Sequence, residues 1–240
     1  MLTVHADVVG SLLRPPELLN AREELASDRL SQECFKEIED RAIDEAIALQ
    51  EKAGLEVVTD GEMRRESFQS QLASAVSGLG DFTLDAFLWG DWRDEAGVER
   101  KPRPEGLGAT GRLVRRRSLS ADEFAYLKDK TTRIPKITLP SPGLWVNFWS
   151  REHSGKAYPT LDAFFSDIVA ILREEVAELA SLGATYIQLD APHYGLLLDT
   201  KTRGFYEGQG WSVEKWLSAG IDLDNAVMAG FPDVTFGFHI

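Results

Sequence analysis

Hydrophobic and polar positions along the chain follow two periods in turn. In SQECFKEIEDRAIDEAIALQEKAG, positions Ile38, Ala42, Ile43, Ala46, Ile47 and Gln50 recur at helical spacing, and Ala53-Gly54 supplies the stop. LDAFFSDIVAILREEVAELASLG predicts a second long helix, capped by Thr160, with Asp162 in its first turn and Gly183 at its end. Ser212 caps VEKWLSAGIDLDNAVMAG, which Gly220 interrupts, so one bent helix or two short ones fit the pattern. RRESFQSQLASAVSG reads as a further helix, and SADE at 120–123 as a capping box opening a short one. Between the helices lie short strand-like runs: TVHADVVGS, LEVVTDGE, IPKITLPSP, ATYIQLDAP and VTFGFHI. In the last, taken as a buried strand, Val234, Phe236 and Phe238 alternate with Thr235, Gly237 and His239. Residues 80–118 mix Gly, Pro, aromatic and charged residues without a helical period. They read as an inserted excursion whose expected form is a β-hairpin. Arg115, Arg116 and Arg117 within it read as a solvated strand or turn rather than an anion site.

The order is therefore β-α-β-α-(insertion)-β-α-β-α-β, which predicts a parallel sheet with crossover helices. No Ser- or Gly-rich linker divides the chain, so residues 1–240 are expected to form a single catalytic-type domain. In such folds ligands meet the C-terminal ends of the strands. The polar residues there are Gly10, Ser11 and Arg14; Asp60, Gly61 and Glu62; Ser141; Gln188, Asp190 and His193; and His239. All five outlets carry one, which points to a site. The intervals Ser11 to Glu62, Ser141 to Asp190 and Asp190 to His239 are 51, 49 and 49 residues. Eight such units would need roughly 400 residues, the upper end for a (β/α)8 barrel. Pattern alone leaves two folds open: an incomplete (β/α)8 TIM barrel of about five βα units with the excursion after unit two, or an open five-stranded parallel sheet. GSLLRPPE after the first strand is not a glycine-rich nucleotide loop, and neither G-x-G-x-x-G nor a Walker motif occurs.

Composition narrows the class. With 240 residues, 43% hydrophobic and 27% charged, the chain has the make-up of an ordinary soluble domain. No apolar run approaches the roughly 20 residues of a membrane span. MLTVHADVVG lacks the basic-then-apolar layout of a secretory signal. A net charge of −13 argues against nucleic acid as a partner but not against an anionic small substrate. A single cysteine, Cys34, rules out an internal disulfide and reads as structural, as do His5 and His153. The expected location is the cytoplasm, away from any membrane.

Five stretches, in order along the whole chain, carry a family resemblance: DVVGSLLRP (7–15), GLEVVTDGEMRR (54–65), KITLPSP (136–142), YIQLDAP (186–192) and FGFHI (236–240), with DNAVMAG before the last. The chain resembles the cobalamin-independent methionine synthase group, in particular its short single-domain members. The resemblance implies a (β/α)8 barrel that transfers a methyl group to a thiol, usually that of homocysteine, held on zinc. Gly10 and Ser11 then match the turn that holds the amino acid. Glu62 matches the carboxylate that receives its amine, and Asp190 a second carboxylate near it. Arg14 and His193 are candidates for supporting these groups. His239 matches the histidine of the group's His-x-Cys zinc motif, with Ile240 as x. The motif's cysteine, a later glutamate and a second cysteine are not in the chain, so the zinc site is expected to be incomplete and the barrel interrupted after strand five. Val8 stands where short members often carry histidine. The methyl donor is not identified by these residues.

The implied chemistry is coherent. A thiol of pKa near 8.5 is mostly protonated at neutral pH, and zinc would hold it as a nucleophilic thiolate. One histidine does not hold zinc tightly, and this chain alone is expected to be inactive or nearly so. Two further readings stay open: zinc-dependent alkylation of another thiol such as coenzyme M, in the manner of epoxyalkane transferases; or a non-catalytic half-barrel that self-associates or assembles with another chain through its open edges.

Overall fold

Strands rich in β-branched and aliphatic residues stack side by side in the computed structural model, which describes residues 6–66, 74–81, 92–93, 99–100 and 107–240. Eight strands are described: β1 (Val57–Val58), β2 (Val76–Asp81), β3 (Trp92–Arg93), β4 (Glu99–Arg100), β5 (Leu107–Arg115), β6 (Ile134–Pro140), β7 (Tyr186–Asp190) and β8 (Thr235–His239). Four of them form one parallel sheet in the order β1-β6-β7-β8. The protein is thus an α/β fold with a parallel sheet. Strand order follows chain order, without reversal among the described strands.

Register decides what the sheet can present. Pro140 of β6 lies opposite Asp190 of β7, and Asp190 opposite His239 of β8. One step back, at two-residue spacing, Thr138, Gln188 and Gly237 form a second row, and Lys136, Tyr186 and Thr235 a third. Because side chains alternate across a strand, these rows share one face.

The other face is covered by helices. Leu161–Ser181 buries Phe164, Phe165, Ile168, Leu172, Val176 and Leu179, the stripe expected from its pattern. It packs against the helix Val213–Met228 and the 3-10 segment Pro142–Phe148. Phe165, Trp211, Trp216 and Tyr206 interlock there at ring separations of 5.0 to 5.8 Å. A second apolar cluster lies under Gln32–Lys52, through Phe35, Ile43 and Ile47. Thr160 and Ser212 cap their helices as expected, accepting from the amides of Ala163 and Lys215.

Several expectations are corrected. No strand is assigned over residues 6–9. The carbonyls of Val8, Val9 and Gly10 accept from the side chains of Lys136, Gln188 and Thr59, not from a neighbouring strand. Among the described residues the parallel sheet therefore has four strands, not five. β8 is half-exposed rather than buried, with Phe238 41% exposed, because it pairs with β7 alone among the described strands. Val213–Met228 is one helix; Gly220 makes room for the Tyr194 hydroxyl without breaking it. Of the helix expected over 64–78, residues 67–73 lie outside the described residues, 64–66 are not helical, 74–75 are helical, and Val76–Asp81 is strand. Ser120 provides no side-chain cap to Ala121–Lys130. Its partner in the expected box, Glu123, is taken by Arg65, and the amide of Ala121 is held by Ser118.

β2, which begins just before the region 80–118, pairs antiparallel with β5, and β3 pairs with β4 within it. Arg115 leaves this excursion to meet Glu175 at 2.7 Å, and also pairs with Glu178. Glu175 is wholly buried and also accepts from the amides of Leu119 and Ser120, both at 2.8 Å. Removing it takes the acceptor from two buried amides and leaves Arg115 only its more exposed partner Glu178. Glu175→Ala is expected to lower the unfolding free energy by about 3 kcal/mol in denaturant titration.

Candidate functional site

The turn after β1 is the most constrained backbone near the sheet outlet. Gly61 has φ 72° and Glu62 φ 54°, so two successive residues lie in the left-handed region. Glycine enters it freely; glutamate does so at a cost of about 1 kcal/mol or more, which surrounding contacts must offset. Here they do. The Glu62 amide donates to Asp60 Oδ1 at 2.8 Å. The Thr59 hydroxyl accepts from Gly61 N at 3.1 Å and donates to the Gly10 carbonyl at 2.9 Å. Arg14 donates to the carbonyls of Glu62 and Arg65, and Arg22 to those of Met63 and Arg65.

This backbone aims the Glu62 side chain at the two other segments of the site. Its carboxylate accepts from Ser11 Oγ, from Thr138 Oγ1 at 2.6 Å and from Arg65 Nη1 at 3.2 Å. Arg65 is 2% exposed and also grips Glu123 at 2.7 Å and the Thr138 hydroxyl at 2.9 Å. Burial disfavours its charge, but Glu123 and Glu62 outweigh that and raise its pKa. Gly10 faces this carboxylate so closely that an added Cβ would lie 2.6 Å from Glu62 Oε1.

Asp190 is held from another direction. Gln188 Nε2 donates to its Oδ1 at 2.7 Å, and His239 Nδ1 lies 3.2 Å from the same oxygen. Burial pushes the Asp190 carboxyl up from the usual range; nearby Glu62 adds to the shift, while Gln188 and His239 oppose it. Lys136 fixes the orientation of the Gln188 amide. Its buried ammonium donates to Gln188 Oε1 and Asp7 Oδ2, both at 2.9 Å, and to the Val8 carbonyl. An ammonium can only donate, so the amide oxygen faces Lys136 and its NH2 faces Asp190 and the Val9 carbonyl.

These parts border an open-sided cavity of about 290 Å³ lined by Val9, Gly10, Ser11, Glu62, Asp190, Pro192 and His239. Five residues singled out from sequence thus meet in one place: Gly10, Ser11, Glu62, Asp190 and His239. Arg14 stands behind the Glu62 turn. His193 does not join them. It is wholly buried against Tyr194, Tyr206 and Trp216, with neither ring nitrogen partnered among the described residues, and burial lowers its pKa to about 3. Ser141 turns away to Asp224 at 2.6 Å. His5 lies outside the described residues, and His153 is exposed.

Sequence reasoning missed Lys136, Thr138, Arg65 and Glu123. The signal for the first two was a period of two: Lys136 and Thr138 interrupt an apolar run on the same face as Gln188 and Asp190. Arg65 and Glu123 are 58 residues apart and gave no local signal.

The donors present do not make up a zinc site. His239 offers one imidazole, Asp190 is engaged with it, and Cys34 is exposed on the helix Gln32–Lys52. Among the described residues no group of three or more His, Cys, Asp or Glu side chains could hold a metal ion. No helix among them is long and apolar enough to cross a membrane.

No family model matches the chain. It is 25% identical over 241 residues to an uncharacterized protein of Bacillus subtilis, YxjH, covering 98% of this chain and 61% of that protein. It is 28% identical over 188 residues to a methionine synthase of Pyrococcus abyssi, covering 77% of this chain and 51% of the other. Among solved structures, a protein of Listeria monocytogenes described as a candidate vitamin-B12-independent methionine synthase superposes with TM-score 0.71 at 23% identity, over 99% of this chain and 65% of that one. A B12-independent methionine synthase of Shewanella, in complex with selenomethionine, gives TM-score 0.63 at 20% identity, over 88% and 54%. The resemblance to the cobalamin-independent methionine synthase group therefore holds in sequence and in fold across most of the chain. The chain spans 61% and 51% of the length of these two curated relatives.

The Lys136 relay yields a test. Lys136→Met leaves Asp7 and the Gln188 oxygen without their buried donor and loosens the segment carrying Gly10 and Ser11. Stability is expected to fall by about 3 kcal/mol. The amide of Leu12, which donates to Gly61, is expected to exchange faster in hydrogen-exchange measurements.

Proposed function

We propose that this chain is the amino-acid-binding part of a barrel-type methyltransferase whose acceptor is a thiol amino acid, homocysteine first among them. One observation carries the reading. The cavity presents two held carboxylates, Glu62 and Asp190, and no lysine or arginine among its lining residues. Such a pocket favours a ligand bearing a cation, and an amino-acid ammonium is one. Ser11 and the bare backbone of Gly10 leave room for the ligand beside them. The strand order, which follows chain order, supports a barrel wall over a doubly wound sheet, whose order reverses at a switch point. The antiparallel pairing of β2 with β5 supports the 80–118 region as an insertion in a single domain. Methyl transfer itself comes by analogy with the relatives named methionine synthase.

The same charge pattern separates this reading from alkylation of coenzyme M. A sulfonate in this cavity would face Glu62 and Asp190 with no cation on the lining, whereas an ammonium would be stabilised by both. Zinc, implied by the resemblance, would need donors beyond those found among the described residues. The contact of His239 Nδ1 with Asp190 leaves Nε2 as the nitrogen available to one, in the manner of carboxylate-oriented metal ligands. The edge strand β8, with Phe238 exposed, supports association with further chain through that side.

Calorimetry tests the pocket. Methionine and homocysteine are expected to bind and coenzyme M not to. Glu62→Gln and Asp190→Asn should each weaken amino-acid binding about 10- to 100-fold. Equal binding of coenzyme M, or indifference to both substitutions, would reject the reading. Zinc titration of this chain alone is expected to give no stoichiometric nanomolar site, and homocysteine methylation by it no turnover.

A further inference from the structure

Asp60 sits one shell behind the cavity, and its two oxygens are treated unlike. Oδ1 accepts the Glu62 amide at 2.8 Å; Oδ2 is buried and has no partner among the described residues. The residue is 2% exposed. An ionised carboxylate with one buried, unpartnered oxygen is far costlier than a neutral carboxyl in the same place. The charges around it sharpen this. Glu62 from the same turn and Glu123 from the helix Ala121–Lys130 both face it, and Arg65 is the fully buried cation among them. The Arg65 donors are directed at Glu123, Glu62 and Thr138. Those of Arg14 and Arg22 are directed at the carbonyls of Glu62, Met63 and Arg65. None of these bonds reaches Asp60. Three carboxyls, Asp60, Glu62 and Glu123, meet the buried Arg65, and the half-buried Arg14 adds a second cation that acts on Asp60 and Glu62 without donating to either carboxyl. Of the three, Asp60 is the one whose oxygens receive no cationic donor, so a proton held in this turn falls to it.

We propose that Asp60 is a positioning residue for Glu62 that holds a proton in the free protein and releases it when a cationic group settles against Glu62. Its Oδ1 fixes the left-handed backbone that aims the Glu62 carboxylate. Its Oδ2 carries the proton. When an ammonium arrives, one positive charge enters the cluster. The O–H bond of Asp60 then breaks, the proton passes to the buffer, and the net charge of the site is unchanged. That the arriving cation is an amino-acid ammonium rests on the function proposed above; the protonated state of Asp60 in the free protein does not.

The electrostatics agree in direction. Burial pushes the Asp60 carboxyl up to about 7, Glu123 and Glu62 add to the shift, and Arg65 opposes it. Below that pH the free protein carries the proton, and a cation beside Glu62 lowers the carboxyl's affinity for it. Binding therefore releases protons near neutrality, and affinity rises as pH climbs from 6 to 8.

The experiment is calorimetric titration of the full chain with methionine, in buffers of different ionisation heat near pH 6.5 and across pH 6 to 8. Wild type is expected to release a substantial fraction of a proton and to bind several-fold more tightly at pH 8 than at pH 6. Asp60→Asn keeps an acceptor for the Glu62 amide and cannot ionise; it should bind with clearly less proton release than wild type and a flatter profile, any remaining release coming from Asp190, whose carboxyl is also raised and lines the cavity. Asp60→Ala, which loses the acceptor too, should bind more weakly than Asp60→Asn at every pH. Equal proton release in wild type and Asp60→Asn overturns the coupling, and equal affinity of the two variants overturns the positioning role. Ligand-free carbon-13 titration of the Asp60 carboxyl in the wild-type chain separates the two layers. A transition near 7 supports the bound proton, and one below about 5 overturns it whatever binds. Absence of methionine binding at all pH values, with the carboxyl titrating near 7, would sink the amino-acid reading and leave the proton on Asp60 standing.

Discussion

A carboxylate buried at the outlet of a parallel sheet must be supplied with donors or be neutralised, and the arrangement around Glu62 follows from how that demand is met. Three parts of the chain far apart in sequence deliver the donors: Ser11 from the N-terminal segment, Arg65 from the turn itself and Thr138 from β6. The same demand explains a backbone that would otherwise be unfavourable. Glu62 adopts a left-handed conformation because Asp60, Thr59, Arg14 and Arg22 hold its neighbours from both sides. Glu123, which the helix Ala121–Lys130 would have used to cap its own start, pairs with the arginine instead. Local capping gives way to a buried ion pair that binds three segments together.

Lys136 plays the matching part on the other side of the cavity. Its ammonium reaches Asp7, 129 residues earlier, and Gln188, 52 residues later, and so ties the N-terminal segment to the sheet. Because this segment is anchored by side chains reaching its carbonyls, it lies against the sheet without being part of it. The cavity is accordingly formed where extended backbone, a strained turn and two strand ends converge. Its charge pattern has two layers: Glu62 and Asp190 line the ligand space, while Arg65 and Lys136 stand behind the lining and hold Glu62 and Gln188 in place.

What was legible in the sequence follows physical range. Helices with a full apolar stripe, such as Leu161–Ser181, were readable because burial imposes a period on adjacent residues. Strand outlets were readable because polar residues end apolar runs, and five of the residues chosen that way line one cavity. His193 failed the same rule: a histidine just past a strand end can turn inward among aromatic rings as readily as toward a site. The segment at residues 6–9 was misjudged because an extended, alternating pattern does not say whether a strand or a set of side chains will meet its carbonyls. The Arg65–Glu123 pair was invisible because nothing local marks a charge whose partner lies 58 residues away.

The central claim is that the space between Glu62 and Asp190 receives an ammonium. The most direct measurement is a crystal structure of the chain soaked with methionine. The account predicts the amine within hydrogen-bonding distance of both carboxylates, with the side chain directed toward His239. A methionine lying with its carboxylate group toward Glu62 and Asp190, or found only outside this cavity, would contradict it.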